Sequence, residues 1–296
     1  MSEIQSTFDD RSLVLKIAEI NVKIRADAPS LIRALKSQYS NFISKENRRD
    51  LILEIELREN YHIPNPDGSS NFYNHQTFQG NQCFVQSNHF TGFVDTGKKT
   101  GKITVIAEQP LSWLEHFLRI AFAVIALDHN ALLFHGAGII KQGKGHIFFG
   151  PSGSGKSTVT GFSGEATILG DDLVVIRRMN ERYMMFAAPF NGNLAGFHLV
   201  NSSGPICGFY RLIQNKTTFI KKMGAGIALS ELVASVPPVN RNRTGSLKVL
   251  DFFQSMLRQV PCFELNFRRD NTFWRYVSGK PETISCKKSA DCIACG

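Results

Sequence analysis

The chain has 296 residues, 43% of them hydrophobic and 20% charged, and a net charge of +9. These are the values of a soluble globular protein with one large core or two smaller ones. The basic balance suits an acidic ligand such as a nucleotide, but its scatter speaks against nucleic acid as a partner: the densest groups, Lys98-Lys99, Lys221-Lys222, Arg241-Asn242-Arg243 and Arg268-Arg269, are all short.

Residues 1–10 are polar and partly acidic and carry no secretory pattern. Strands are expected at 13–17 and 20–24, followed by a helix opened by Pro29-Ser30-Leu31, with Leu31, Ile32, Leu35 and Tyr39 on one side. Residues 51–57 form another strand. Residues 59–81, rich in Asn, Pro, Gly and His, read as a long loop. Strands follow near 83–86, 90–95 and 102–107, the last two joined as a hairpin. This stretch carries no chemical motif. It reads as an accessory α+β unit dominated by antiparallel pairing and ending near Pro110.

From Pro110 the pattern changes. A helix runs to about Leu127 with Trp113, Leu114, Phe117 and Leu118 at helical spacing. Arg119 interrupts its apolar run and Asp128-His129-Asn130 closes it, which makes the run too short to span a bilayer, so no membrane partner is expected. A strand is expected near 132–134, followed by His135-Gly136-Ala137-Gly138-Ile139-Ile140. The turn 141–145 then leads into His146-Ile147-Phe148-Phe149, an apolar run that reads as a buried strand.

The next nine residues, Gly150-Pro151-Ser152-Gly153-Ser154-Gly155-Lys156-Ser157-Thr158, fit the phosphate-loop pattern G-x-x-x-x-G-K-[ST] at every fixed position. Glycines let the backbone wrap a polyphosphate with its N–H groups pointing inward, and a helix starting here aims its positive end at the same anion. Lys156 supplies a charge for the outer phosphates and Ser157 a hydroxyl for magnesium. The expected nucleotide cradle is Gly150, Ser152, Gly153, Ser154, Gly155, Lys156, Ser157 and Thr158. The helix beyond it must be short, because Gly161 and Gly164 break it within about two turns.

Asp171-Asp172 lies fifteen residues beyond Lys156 and precedes the strand-forming run Leu173-Val174-Val175-Ile176. Two carboxylates near a polyphosphate have two natural uses, holding Mg²⁺ and accepting the proton of an attacking hydroxyl. A solvated acidic cap is the plainer alternative. His135 ends a strand expected beside the loop strand, and Gly136 and Gly138 open space around it. It can polarise a phosphate oxygen or orient an acid. The candidate catalytic set is therefore Lys156, Asp171, Asp172 and His135, and the candidate magnesium ligands are Ser157 and Asp172.

Leu133-Phe134-His135-Gly136-Ala137-Gly138, the loop from Phe149 to Thr158, and Ile168-Leu169-Gly170-Asp171-Asp172 together resemble the HPr kinase/phosphorylase group and the related ATP-dependent phosphoenolpyruvate carboxykinases. The resemblance is carried by residues 130–180 and continues more weakly to about 275. Pro189-Phe190-Asn191-Gly192, the run from Pro205 to Leu212 and a helix-like stretch at 225–236 are similar to small HPr-kinase-like proteins associated with modified-peptide gene cassettes. The resemblance implies a phosphoenolpyruvate carboxykinase-like P-loop kinase core with a mixed sheet and a magnesium-dependent ATP site. It implies Lys156 on the phosphates, Ser157 on the metal, and one of Asp171 and Asp172 as base for a serine or other hydroxyl, assisted by His135. The long glycine-rich signature of true HPr kinases and the phosphoenolpyruvate-binding residues of a carboxykinase are missing, so the acceptor does not carry over.

The expected organisation is thus α/β (α+β): an accessory α+β domain at 1–110, an ATP-binding domain at 111–285 and a cysteine-containing tail at 286–296. The expected function is ATP- and Mg²⁺-dependent transfer of the γ-phosphate to a hydroxyl on a peptide, protein or small molecule. The alternative is a non-catalytic nucleotide-binding scaffold or regulator of a peptide-modifying complex. Homo-oligomerisation is left open. Arg211, Lys216, Arg241, Arg243 and Arg268 are candidates for a second cation on the phosphate, with Arg241 and Arg243 in a polar loop that can close over substrate. Of six cysteines, Cys83, Cys207 and Cys262 read as small core residues. Cys286, Cys292 and Cys295 crowd into the tail, where a metal site, a redox pair and a loose end are all open. A cytoplasmic, reducing compartment is expected. A strand at 260–267 and a terminal helix at 273–277 close the chain, with Trp274 in the core.

Overall fold

The computed structural model describes residues 10–59, 73–190 and 200–277. Seven strands make the first sheet: β1 (Ser12–Ile17), β2 (Ile20–Ala26), β3 (Leu51–Arg58), β4 (Asn74–Gln79), β5 (Gln82–Ser87), β6 (Phe90–Asp95) and β7 (Thr100–Ile106), in the order β1-β2-β3-β7-β6-β5-β4. Buried and intermediate residues alternate strictly along β1, the mark of a strand with one face on the core. Helix α1 (Pro29–Gln38) buries Leu31, Ile32 and Leu35.

Antiparallel pairing dominates the sheet, as expected, although β3 runs parallel to both β2 and β7. One expectation needs correction. The long connection before β5 contains a strand, β4, paired antiparallel with β5. Its sequence Asn-His-Gln-Thr-Phe-Gln offers a single apolar residue, so apolar/polar alternation could not reveal it. It survives as an edge strand, where only one side needs a partner.

Helix α2 (Pro110–Ala126) packs on β6 and β7 of the first sheet and on the strand that opens the second. With the turn after it, it makes a continuous apolar helix over Pro110–His129 of mean hydropathy 1.4, long enough to cross a membrane by length and composition, which corrects the shorter run read from the sequence. Its residues Leu114, Phe117, Leu118, Ala121, Phe122 and Ile125 are core. A single apolar cluster runs through α2 from one sheet to the other.

The second sheet has nine strands: β8 (Ala131–His135), β9 (Ala137–Lys141), β10 (Lys144–Phe149), β11 (Thr167–Gly170), β12 (Leu173–Met179), β13 (Arg182–Ala187), β14 (Ser203–Gln214), β15 (Phe219–Lys222) and β16 (Cys262–Phe267). Its main path is β11-β9-β10-β14-β13-β12-β8, and β16 pairs with both β14 and β15. Helices α3 (Lys156–Gly161), α4 (Ala225–Ala234), α5 (Arg243–Leu257) and α6 (Trp274–Val277) complete the unit. The α+β class with a mixed sheet agrees with expectation.

This path has a consequence. β8 and β12 lie at one end of it, β9 and β11 at the other. Yet only Gly136 joins β8 to β9, and only Asp171-Asp172 joins β11 to β12. Such short links between opposite ends require a sheet curled until its ends meet. The Gly136 N–H donates to the Asp172 carbonyl at 2.9 Å, tying the two links together. Gly138 must be glycine at this seam: a Cβ there would lie 2.6 Å from Val174 Cγ1. His135 is therefore not on a strand beside the loop strand, as the sequence suggested. β8 pairs with β12, and β10 lies between β9 and β14. The curl brings His135 across.

Beneath β10, Phe148, Tyr210, Phe273 and Trp274 form an aromatic stack, in which ring pairs at 5.1–5.8 Å add about 0.5–1.5 kcal/mol each beyond their buried area. Trp274 is core, as expected. Cys83 and Cys262 are buried, but Cys207 is exposed, on an outward position of β14. Residues 286–296 lie outside the described residues.

Candidate active site

The buried strand β10 ends at Phe149 and the chain turns sharply. Gly150, Gly153 and Gly155 take φ of 148°, 78° and 109°, a region that L side chains rarely adopt. At Gly155 a Cβ would also stand 2.6 Å from Phe267 Cζ. The loop is pinned from outside by Gln214, whose Nε2 donates to the Gly153 carbonyl at 2.7 Å. Helix α3 starts at Lys156 and ends at Gly161, as short as the glycines require.

Lys156 folds back so that its Nζ donates to the Gly150 carbonyl at 3.1 Å. Partial burial lowers its ammonium below the usual lysine range, while the charges of Asp172 and Asp171 oppose that shift. The Ser154 Oγ is buried and has no hydrogen-bond partner among the described residues; the same holds for Asp171 Oδ1. Ser157 is exposed at the head of α3, and Thr158 is half-buried behind it.

The two links across the seam deliver the other candidates. His135 Nδ1 lies 3.3 Å from Asp172 Oδ1, both side chains being 42% exposed. Burial lowers the His135 imidazole below its ordinary value; Asp172 pulls it up and Lys156 pushes it down. Burial raises the Asp171 carboxyl, and the neighbouring Asp172 adds to that. Lys156, Asp171, Asp172 and His135, read separately along the sequence, thus share one electrostatic neighbourhood.

A cleft of about 860 Å³ opens beside them, lined by His135, Asp172 and residues 150–152 of the phosphate loop. Asp171 does not line it. It is also lined by Asn74 and Gln76 of β4, Arg119 of α2, Glu231 of α4 and residues 234–239, of which the sequence pointed only to 237–239, the start of the polar loop of Arg241 and Arg243. Arg211 lines it too, its Nε 2.9 Å from Glu231 Oε2. Of the other candidate cations, Arg268 is exposed and paired with Asp270, Lys216 is exposed in the turn after β14, and Arg243 faces a separate pocket. The Arg241 side chain and Asn191-Gly192 lie outside what is described. Arg119, which interrupts the apolar run of α2 and pairs with Glu115 one turn before it, was the available signal for the missed wall.

Glycine loop, lysine, paired carboxylates and histidine thus come together on a curled mixed sheet. No family model matches the chain, and no curated protein matches it. Among solved structures, the HPr(Ser) kinase/phosphatase from Coxiella burnetii matches at 10% identity over 43% of this chain and 91% of that one, with a TM-score of 0.26.

Proposed function

We propose that this protein is an HPr-kinase-like phosphotransferase that moves the γ-phosphate of ATP to a hydroxyl. One observation carries the reading: the seam brings Asp172 and His135 to a cleft shared with residues 150–152 of the glycine loop, within electrostatic reach of Lys156. Phosphoryl transfer asks little of a protein beyond positioning and charge stabilisation, and these groups supply both.

The polyphosphate would lie in the turn made by Gly150, Gly153 and Gly155. Lys156 would exchange its contact with the Gly150 carbonyl for the outer phosphates. The Ser154 Oγ and Asp171 Oδ1 are buried polar atoms without a hydrogen-bond partner among the described residues. Among the described residues no group of three His, Cys, Asp or Glu could hold a metal alone. Mg²⁺ keeps waters and takes substrate oxygens, so it needs few protein ligands. Ser157 and the acid pair would hold it, and when bound it neutralises phosphate charge. Asp172 lines the cleft whereas Asp171 does not, so we assign the proton-accepting role to Asp172 and the larger metal share to Asp171. Asp172 then takes the proton of the acceptor hydroxyl, and His135 holds its carboxylate in place.

The test is incubation with γ-labelled ATP, Mg²⁺ and a broad panel of hydroxyl acceptors. Label in an acceptor is the expected result. Tight nucleotide binding with no labelled product from any acceptor would overturn the reading in favour of a nucleotide-binding scaffold.

A further inference from the structure

The cleft beside Asp172 does not end at the catalytic groups. A second pocket, of about 480 Å³, lies beyond it, and the same three elements line both in the same order. Along β4, Asn74 and Gln76 face the first pocket and Phe78 the second. Along α2, Ile120 faces the first, and Val124 and Leu127 the second. The chain from α4 to α5 gives residues 234–239 to the first and 242–245 to the second. The two pockets share no lining residue, but the same three elements pass through both in the same sense, so a ligand lying across them would run along α2 between the other two.

Such a groove has a length and a polarity. From Ile120 to Asp128 it follows α2 for about 12 Å at 1.5 Å per residue, which accommodates roughly four residues of extended chain. The near end holds Asp172 and His135. The far end holds Arg243 and Lys248. Lys248 pairs with Asp128 at 2.7 Å, but Arg243 is exposed at the start of α5 and makes no ion pair among the described residues. The wall at β4 is an edge strand, so its outer backbone groups have no strand partner among the described residues. Along α2 the lining is apolar at Ile120, Val124 and Leu127, with Arg119 at one end and Asp128 at the other. This shape fits an extended chain with side chains on alternate sides better than a compact metabolite.

We propose that the groove binds an extended peptide, with a hydroxyl side chain at Asp172 and an acidic side chain about four residues away at Arg243. The placement of the hydroxyl rests on the phosphotransferase reading. The peptide's course along β4, α2 and the chain from α4 to α5 does not.

The experiment is a binding selection on the full chain with ADP and Mg²⁺ present, using a displayed library of short linear peptides, each with one serine. The expected result is enrichment of Asp or Glu at one fixed distance from the serine. With Arg243→Glu, the enrichment at that position switches to Lys or Arg. This substitution places a carboxylate at an exposed helix start, where it favours folding. Background-level enrichment, the same selected peptides with Arg243→Glu, or displacement of the peptides by ADP would each overturn the groove. The selected peptides are then offered γ-labelled ATP. Register-specific binding without transfer would uphold the groove and remove the kinase reading. Transfer to small hydroxyl compounds with no peptide enriched would do the reverse.

Discussion

In the seven-stranded sheet, β4 to β7 follow one another as hairpins, each strand beside the last. In the nine-stranded sheet, two connections pass between opposite ends of the path, through Gly136 and through Asp171-Asp172. The first arrangement leaves outward faces and an edge free to vary, and what it gives to the cleft is amides, Asn74 and Gln76, already bonded to each other at 2.7 Å. The second leaves no slack where the chain crosses, and there the carboxylates and the histidine sit. A taut crossing fixes a side chain to the tolerance that chemistry needs, whereas a ladder's edge holds a partner by many small contacts.

The comparison breaks if groups at the crossing prove dispensable. Asp172→Asn should lower transfer about 10³-fold, with ADP affinity kept within a few-fold, measured by product formation and by calorimetry side by side. Equal transfer in the variant would return the base role to Asp171. Lys156→Ala should cost about 10²–10³-fold in kcat/KM for ATP, and should weaken ADP binding as well, which Asp172→Asn should not.

A third test separates chemistry from mere burial within the same sheet. His146, on β10, is buried against Tyr210 and Trp274, and burial pushes its imidazole down to about 4. In the unfolded chain it titrates near 6.5, so as the pH falls the unfolded state takes the proton first. Its contribution to stability is full above about pH 6.5 and is lost between there and about pH 4, by up to ~3 kcal/mol. Urea midpoints across that range should fall less steeply for His146→Gln than for the unmodified protein. Parallel slopes would mean that the ring is charged in the fold.

The smallest effect belongs to the hairpin-built sheet. Gln76→Ala should raise the acceptor KM about threefold, the size of one modest hydrogen bond, and leave kcat nearly unmoved. A drop in kcat instead would place β4 inside the chemistry and erase the contrast between the sheets.

What could be read from the residues follows from how each feature is encoded. The glycine loop is local, so Gly150 to Thr158 declared its shape, with positive φ at Gly150, Gly153 and Gly155. The short α3 was legible from Gly161 and Gly164. Strand order is not local. The spacing of His135 from the loop could not say that β8 pairs with β12, because nothing in either strand names its neighbour. β4 was missed because an edge strand needs no apolar run. The far wall of the cleft was missed with it, since Asn74, Gln76 and Arg119 become a surface only after α2 and the sheets have packed.

The seam also sets which lengths of chain can change. An added residue beside Gly136 would have to be absorbed where Gly136 donates to the Asp172 carbonyl. One added between Asp172 and Leu173 would shift β12 by a place against β8 and exchange the two faces on which Leu173 to Ile176 pack. In relatives of this chain, insertions and deletions should therefore collect in connections such as 59–73 and 188–202, while the one-residue and two-residue bridges keep their lengths whatever side chains they carry.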